Sequence, residues 1–208
     1  MGALKNLHNY IGMWHKRTDS MLIGLVQGNP LEYVIKIYPG RYGLFAGGCN
    51  GSVVDTTDKV TYANELINVQ GSGKVITQAR YNMAGISCSS YGLIAGGSAG
   101  SAVATTDKVV AATELISAQG SGKVITQARY GLGGVNFLDY GLFAGGYASS
   151  SVTTTDKVIF PTELISAQGT GKVLSQARYS LGTVNFRDYG LFGGGTTGSV
   201  VTTTDKVI

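Results

Sequence analysis

Residues 129–177 read RYGLGGVNFLDYGLFAGGYASSSVTTTDKVIFPTELISAQGTGKVLSQA, and this stretch holds one whole structural unit. GLGGVNF (131–137) is short, apolar and flanked by glycine. LDY turns the chain, and YGLFAGG (140–146) is a second apolar run that ends in a glycine pair. A small polar loop, YASSSVTT (147–154), leads to DKVIF (156–160), which alternates polar and apolar residues. After Pro161, TELISAQ (162–168) is a candidate fourth strand, and GTGKVLSQAR turns into the next stretch. Short strands at even spacing, separated by Gly, Ser and Thr turns, predict an all-β chain.

The same wording recurs on both sides of that stretch. Asp58, Asp107, Asp156 and Asp205 stand 49 residues apart, each within the phrase TTDKV. The glycine pairs Gly47-Gly48, Gly96-Gly97, Gly145-Gly146 and Gly194-Gly195 keep this step, and so do Arg80, Arg129 and Arg178. A strict period near 50 residues is one supersecondary unit laid down several times, and four strands per unit predict a β-propeller blade. The units are about 31–79, 80–128, 129–177 and 178–208, and together with a preceding strand they make a repeat domain over 21–208. The last unit reaches Ile208 after its third strand. MLIGLVQG (21–28) resembles ELINVQG (65–71) and is placed to supply the outer strand, with EYVIKIYPG (32–40) as the first strand of the first unit. The expectation is a small, four-bladed propeller closed by N- and C-terminal strands within one chain, which removes an exposed sheet edge. A ring completed by a second chain is the alternative. Phe45, Ile94, Phe143 and Phe192 occupy one place in the second strand and are expected to be buried between blades.

A strand ending in Gly-Gly, with an Arg-containing turn before it and a Thr/Ser loop and apolar strand after it, resembles the kelch repeat. The resemblance covers roughly residues 31–208. The only tryptophan, Trp14, lies outside the repeats, so the aromatic pattern usual after the kelch glycine pair is missing. ARYxLGG, YGLFAGG and TTDKV are similar in wording to kelch-like arrays in virion and tail proteins of tailed bacteriophages. That resemblance implies a virion structural or host-attachment role, assembly in the host cytoplasm, and other virion proteins or sister chains as partners, with a host surface glycan as a further one.

Composition agrees with a folded array. The chain has 208 residues, enough for one sizeable core, and its 32 glycines keep register with the repeat, so they mark turns and close approaches. Charged residues are 13%, about half the usual share, and the net charge of +4 is spread around the array. No basic stripe with interleaved aromatics is present, so nucleic acid is not an expected partner. No apolar run of 18 residues is present, so no membrane span is expected. The opening MGALKNLHNY lacks the apolar stretch of a secretory signal, and Asn6 stands where myristoylation wants Ser or Thr.

Each candidate for chemistry has a structural reading beside it. The glycine pairs lack the Lys-Ser/Thr of a phosphate-binding loop and read as close packing. One Asp per unit with Thr neighbours is thin for calcium, so the Asp reads as a loop cap or as the partner of an Arg from a neighbouring blade. The repeated Arg residues read likewise as ties between blades. His8 and His15 precede the repeats and have no carboxylate pattern, so no catalytic residue, metal site or cofactor is expected, and the chain is not expected to be an enzyme. Cys49 and Cys88 do not recur and are expected to be free. The loops CNGSVVD, SAGSAVA, YASSSVT and TTGSVVT differ most between units, and Asn50 and Tyr147 in them are candidates to hydrogen-bond and stack on a sugar. A multivalent glycan-binding module is therefore the alternative function. Residues 1–20 are read as an attachment segment: Leu4, Leu7, Ile11 and Trp14 follow helical spacing, in a stretch too short to stand alone and expected to dock on a partner.

Overall fold

The computed structural model describes residues 42–186 and 188–208. Leu4, Leu7, Ile11 and Trp14, expected to dock on a partner, and the strands expected at 21–28 and 32–40 lie outside the described residues. The described chain is all-β, with four antiparallel sheets and no helix. Sheet 1 comprises β1 (Tyr42–Cys49), β2 (Val53–Thr61) and β3 (Leu66–Val69). Sheet 2 comprises β4 (Ala84–Ser87), β5 (Tyr91–Ala95), β6 (Thr106–Val110) and β7 (Ile116–Ala118). Sheet 3 comprises β8 (Gly133–Asn136), β9 (Tyr140–Ala144), β10 (Thr155–Ile159) and β11 (Leu164–Ala167). Sheet 4 comprises β12 (Gly182–Asn185), β13 (Gly190–Gly193) and β14 (Thr204–Val207). Within each sheet the strands follow sequence order as a meander, so each hairpin pairs neighbours and no connection crosses over.

The register fixes two faces per sheet, because side chains alternate along a strand. In sheet 3, Phe143 pairs with Asp156 and Asp156 with Ala167, while Gly141 pairs with Val158 and Val158 with Ile165. Phe143, Val158 and Ile165 therefore share one face, the rear face. Val135, Leu142 and Ala144 lie on the other, the front face. The two core clusters show how the faces meet. One joins Ala84, Ile86, Leu93 and Ala95 of sheet 2 to Phe143, Val158 and Ile165 of sheet 3. The other joins Val135, Leu142 and Ala144 of sheet 3 to Phe192 of sheet 4. In both clusters the front face of one sheet packs on the rear face of the next.

The first strands approach most closely, at glycine. A Cβ on Gly134 would stand 2.6 Å from the Gly85 carbonyl oxygen, and one on Gly133 would stand 2.7 Å from Thr183. Phe143 and Phe192 are 0% exposed, as the periodic reading expects. Ile94 is only half-buried, and Phe45 departs furthest from it, at 64% exposed. It lies on the rear face of sheet 1, where no preceding described sheet covers it.

Candidate functional site

The repeated polar residues meet in a recurrent cluster. Arg129 and Asp156 are both fully buried and 2.9 Å apart. Asp156 also accepts hydrogen bonds from the Thr126 amide at 3.2 Å and the Thr126 hydroxyl at 2.6 Å. The guanidinium donates onward to the carbonyls of Gly145 (2.8 Å), Gln127 (3.2 Å) and Phe143 (3.2 Å). A buried charge needs a partner and filled hydrogen-bonding positions, and this geometry supplies both. Burial pulls the Arg129 guanidinium below its ordinary pKa, and the Asp156 charge opposes that. Arg80 and Asp107 repeat the pair at 3.0 Å, with Thr77 on the carboxylate. Arg178 and Asp205 repeat it at 2.7 Å, with Asp205 partly exposed.

These pairs correct the expected pairing. Each Arg side chain binds the Asp of its own sheet, not that of a neighbour. The tie between sheets runs through the backbone of the same Arg. The Gly97 amide donates to the Arg129 carbonyl and the Gly146 amide to the Arg178 carbonyl, both at 2.9 Å. This explains the glycine pairs. Gly145 has φ +66, and a Cβ there would stand 2.7 Å from the Arg178 carbonyl oxygen. The pairs are packing elements, and what they pack on is the next Arg turn.

A second tie between sheets runs through glutamate and lysine. Glu114, in the hairpin before β7, is ion-paired with Lys59 on β2 and lies 2.8 Å from Lys74. Glu163 repeats this with Lys108 on β6 and with Lys123 at 2.9 Å. Hydrogen bonds from these lysines hold both carboxyls below the ordinary value. The same lysines lie over tyrosine rings: Lys59 is 5.0 Å from the Tyr42 ring centre and Lys108 is 4.7 Å from that of Tyr91. Those tyrosines reach forward as well, since the Tyr42 hydroxyl donates to the Ala111 carbonyl at 3.2 Å and the Tyr91 hydroxyl to the Phe160 carbonyl at 2.8 Å. The legible signal was that Glu, Lys and Tyr all keep the 49-residue step.

The candidate sugar-binding residues are placed apart. Asn50 is exposed at a hairpin tip, where its amide donates to the Ser52 carbonyl at 3.1 Å. Tyr147 is half-buried among tyrosines, with ring centres 5.4 Å from Tyr130 and 5.1 Å from Tyr179. Burial, and then the neighbouring Tyr147, Tyr179 and Tyr81, push the Tyr130 hydroxyl above its ordinary pKa. No hydrogen bond joins Asn50 to Tyr147 among the described residues. Cys49 and Cys88 are both free. Among the described residues no group of three or more His, Cys, Asp or Glu is placed to hold a metal ion, and no helix is long and apolar enough to cross a membrane. The chain matches no protein-family model, and no curated protein matches it.

Proposed function

We propose that the chain is a non-enzymatic structural or host-attachment module of a tailed-bacteriophage virion, built as a kelch-like propeller and docked through its N-terminal segment. The four sheets are its blades, with the last completed by an outer strand from about residues 21–28 of this chain or a sister chain. The carrying observation is where the repeated polar groups go. Asp107, Asp156, Glu114 and Glu163 are engaged by Arg, Thr and Lys within or between sheets. Groups engaged in this way hold a scaffold together and leave the varied loops as the part presented outward.

The test is incorporation. Changing Leu7 and Trp14 to Ser should leave the melting temperature of the repeat domain unchanged while abolishing assembly into particles, because apolar and aromatic anchors dominate interface energy. A variant that melts early yet assembles normally when cooled places the segment on its own repeats and overturns the attachment reading. The alternative of a multivalent glycan-binding module is favoured by one observation, the cluster of Tyr130, Tyr147 and Tyr179 beside a varied loop. A glycan array separates the two readings. Binding that Tyr147→Ala abolishes supports the module, and an empty array with intact incorporation supports the virion role.

A further inference from the structure

We infer that the open front face of sheet 4 receives the open rear face of sheet 1 from a second copy of this chain, head to tail. This rests on the propeller reading and takes the case in which a sister chain, not the chain's own first sheet, stands next to the last blade. It rests on the likeness between the joints inside the chain and the two faces left at the ends of the described array.

The rear face of sheet 1 carries apolar residues that are buried wherever a sheet precedes them. Ile67 is 63% exposed, whereas its equivalents Ile116 and Ile165 are 8% and 7% exposed. Phe45 stands in the same contrast with Phe143 and Phe192. The front face of sheet 4 mirrors this. Val184 is 49% exposed, whereas its equivalent Val135, covered by sheet 4, is 0% exposed. The front face of one end is built like the front face of sheet 3, and the rear face of the other end like that of sheet 4. Apolar faces that repeat a buried joint are complementary to each other.

The polar ties complete the match. At the joint between sheets 1 and 2, Lys59 pairs with Glu114 and the Tyr42 hydroxyl donates to the Ala111 carbonyl. At the joint between sheets 2 and 3, Lys108 pairs with Glu163 and the Tyr91 hydroxyl donates to the Phe160 carbonyl. Sheet 4 offers Lys206, 4.5 Å from the Tyr189 ring centre, in the same place. Sheet 1 offers Glu65 in its hairpin, at φ 58 against 64 and 61 for Glu114 and Glu163. It also offers the Tyr62 carbonyl in the place of Ala111 and Phe160. The new joint therefore pairs Lys206 with the second copy's Glu65, directs the Tyr189 hydroxyl to that copy's Tyr62 carbonyl, and seats its Phe45 and Ile67 on Val184 and Leu191. Two of the three joints within the chain are built from the same ties, and both end faces still stand open among the described residues. Such a heterologous contact either closes into a larger ring or runs on as a filament.

Charge reversal in the full-length chain tests this. Sedimentation across a range of concentrations should show self-association in the unaltered protein. Glu65→Lys should weaken it by about tenfold or more, because like charges then face each other, and Lys206→Glu should do the same. Mixing the two variants should restore association. At alternate joints the introduced lysine then meets the introduced glutamate, and the original Lys206 meets the original Glu65. Phe45→Ala should weaken association without lowering the melting temperature. A protein that stays monomeric at all concentrations overturns the proposal. If its melting temperature also falls with each single reversal and recovers in the double variant, the two faces join within one chain instead. Self-association that neither reversal weakens, or that mixing fails to restore, overturns it equally.

Discussion

Asp156→Ala isolates the cost of a buried charge in this array. Arg129 is fully buried, and Asp156 is its carboxylate partner, at 2.9 Å. After the change the guanidinium keeps three backbone carbonyls, from Gly145, Gln127 and Phe143, but loses its countercharge. The Thr126 amide and hydroxyl lose their acceptor as well. Breaking one side of a buried ion pair costs about 3–5 kcal/mol. A domain's whole stability is about 5–15 kcal/mol, so the variant should unfold at a much lower urea concentration. The double variant Arg129→Met, Asp156→Leu removes both charges and should cost less than Asp156→Ala alone, because no orphan charge is left in the interior. Asp205→Ala should cost less too, since Asp205 has a side chain 19% exposed and water can reach the gap. Urea unfolding followed by circular dichroism measures all three. A cost below about 1 kcal/mol for Asp156→Ala, or a double variant that costs more than Asp156→Ala alone, would refute the reasoning.

Three further outcomes are expected. Phe143→Ala should cost about 3–5 kcal/mol by emptying a fully packed site, whereas Phe45→Ala in the monomer should cost below about 1 kcal/mol, both read by urea unfolding. Gly145→Ala should cost about 2–4 kcal/mol, because φ is +66 and the new Cβ would press on the Arg178 carbonyl, Leu181 and Leu174. Gly169→Ala, with nothing within 4 Å, is its control and should be near neutral by thermal melting. Glu114 and Glu163 have folded pKa values below their ordinary 4.5, so the stability they lend is full above about pH 4.5 and is lost as pH falls through the lower folded values. Acid titration of the Glu163→Gln variant should therefore show a shallower loss in that range, and an unchanged acid limb would exclude the tie.

The sheets were legible in the sequence because strand, glycine turn and polar loop repeat with one period. Within 129–177, all four expected strands are present as β8 to β11. The burial of Phe143 and Phe192 followed from the same pattern. The exposure of Phe45 did not, because a periodic argument gives every unit two neighbours and the first described sheet has only one. The Arg–Asp pairing is not legible in the sequence, because equal spacing cannot say which of several identical carboxylates an arginine reaches. The short connector carrying Thr126 and Arg129 decides it by bringing the guanidinium under its own sheet. The role of Glu163 is not legible either, because charge count alone does not reveal that a hairpin leans onto the preceding sheet.

The double use of each arginine has a consequence for how the array comes apart. Its guanidinium belongs to one sheet and its carbonyl to the sheet before, so losing one sheet's order withdraws a hydrogen bond from the next. Nearest-neighbour coupling of this kind makes an array open from its termini inward. Hydrogen exchange should therefore be slowest for amides of β5, β6, β9 and β10, which have neighbours on both sides. Exchange should quicken toward β3 and β12, and a single break at Arg129 should make the middle of the array exchange as its ends do.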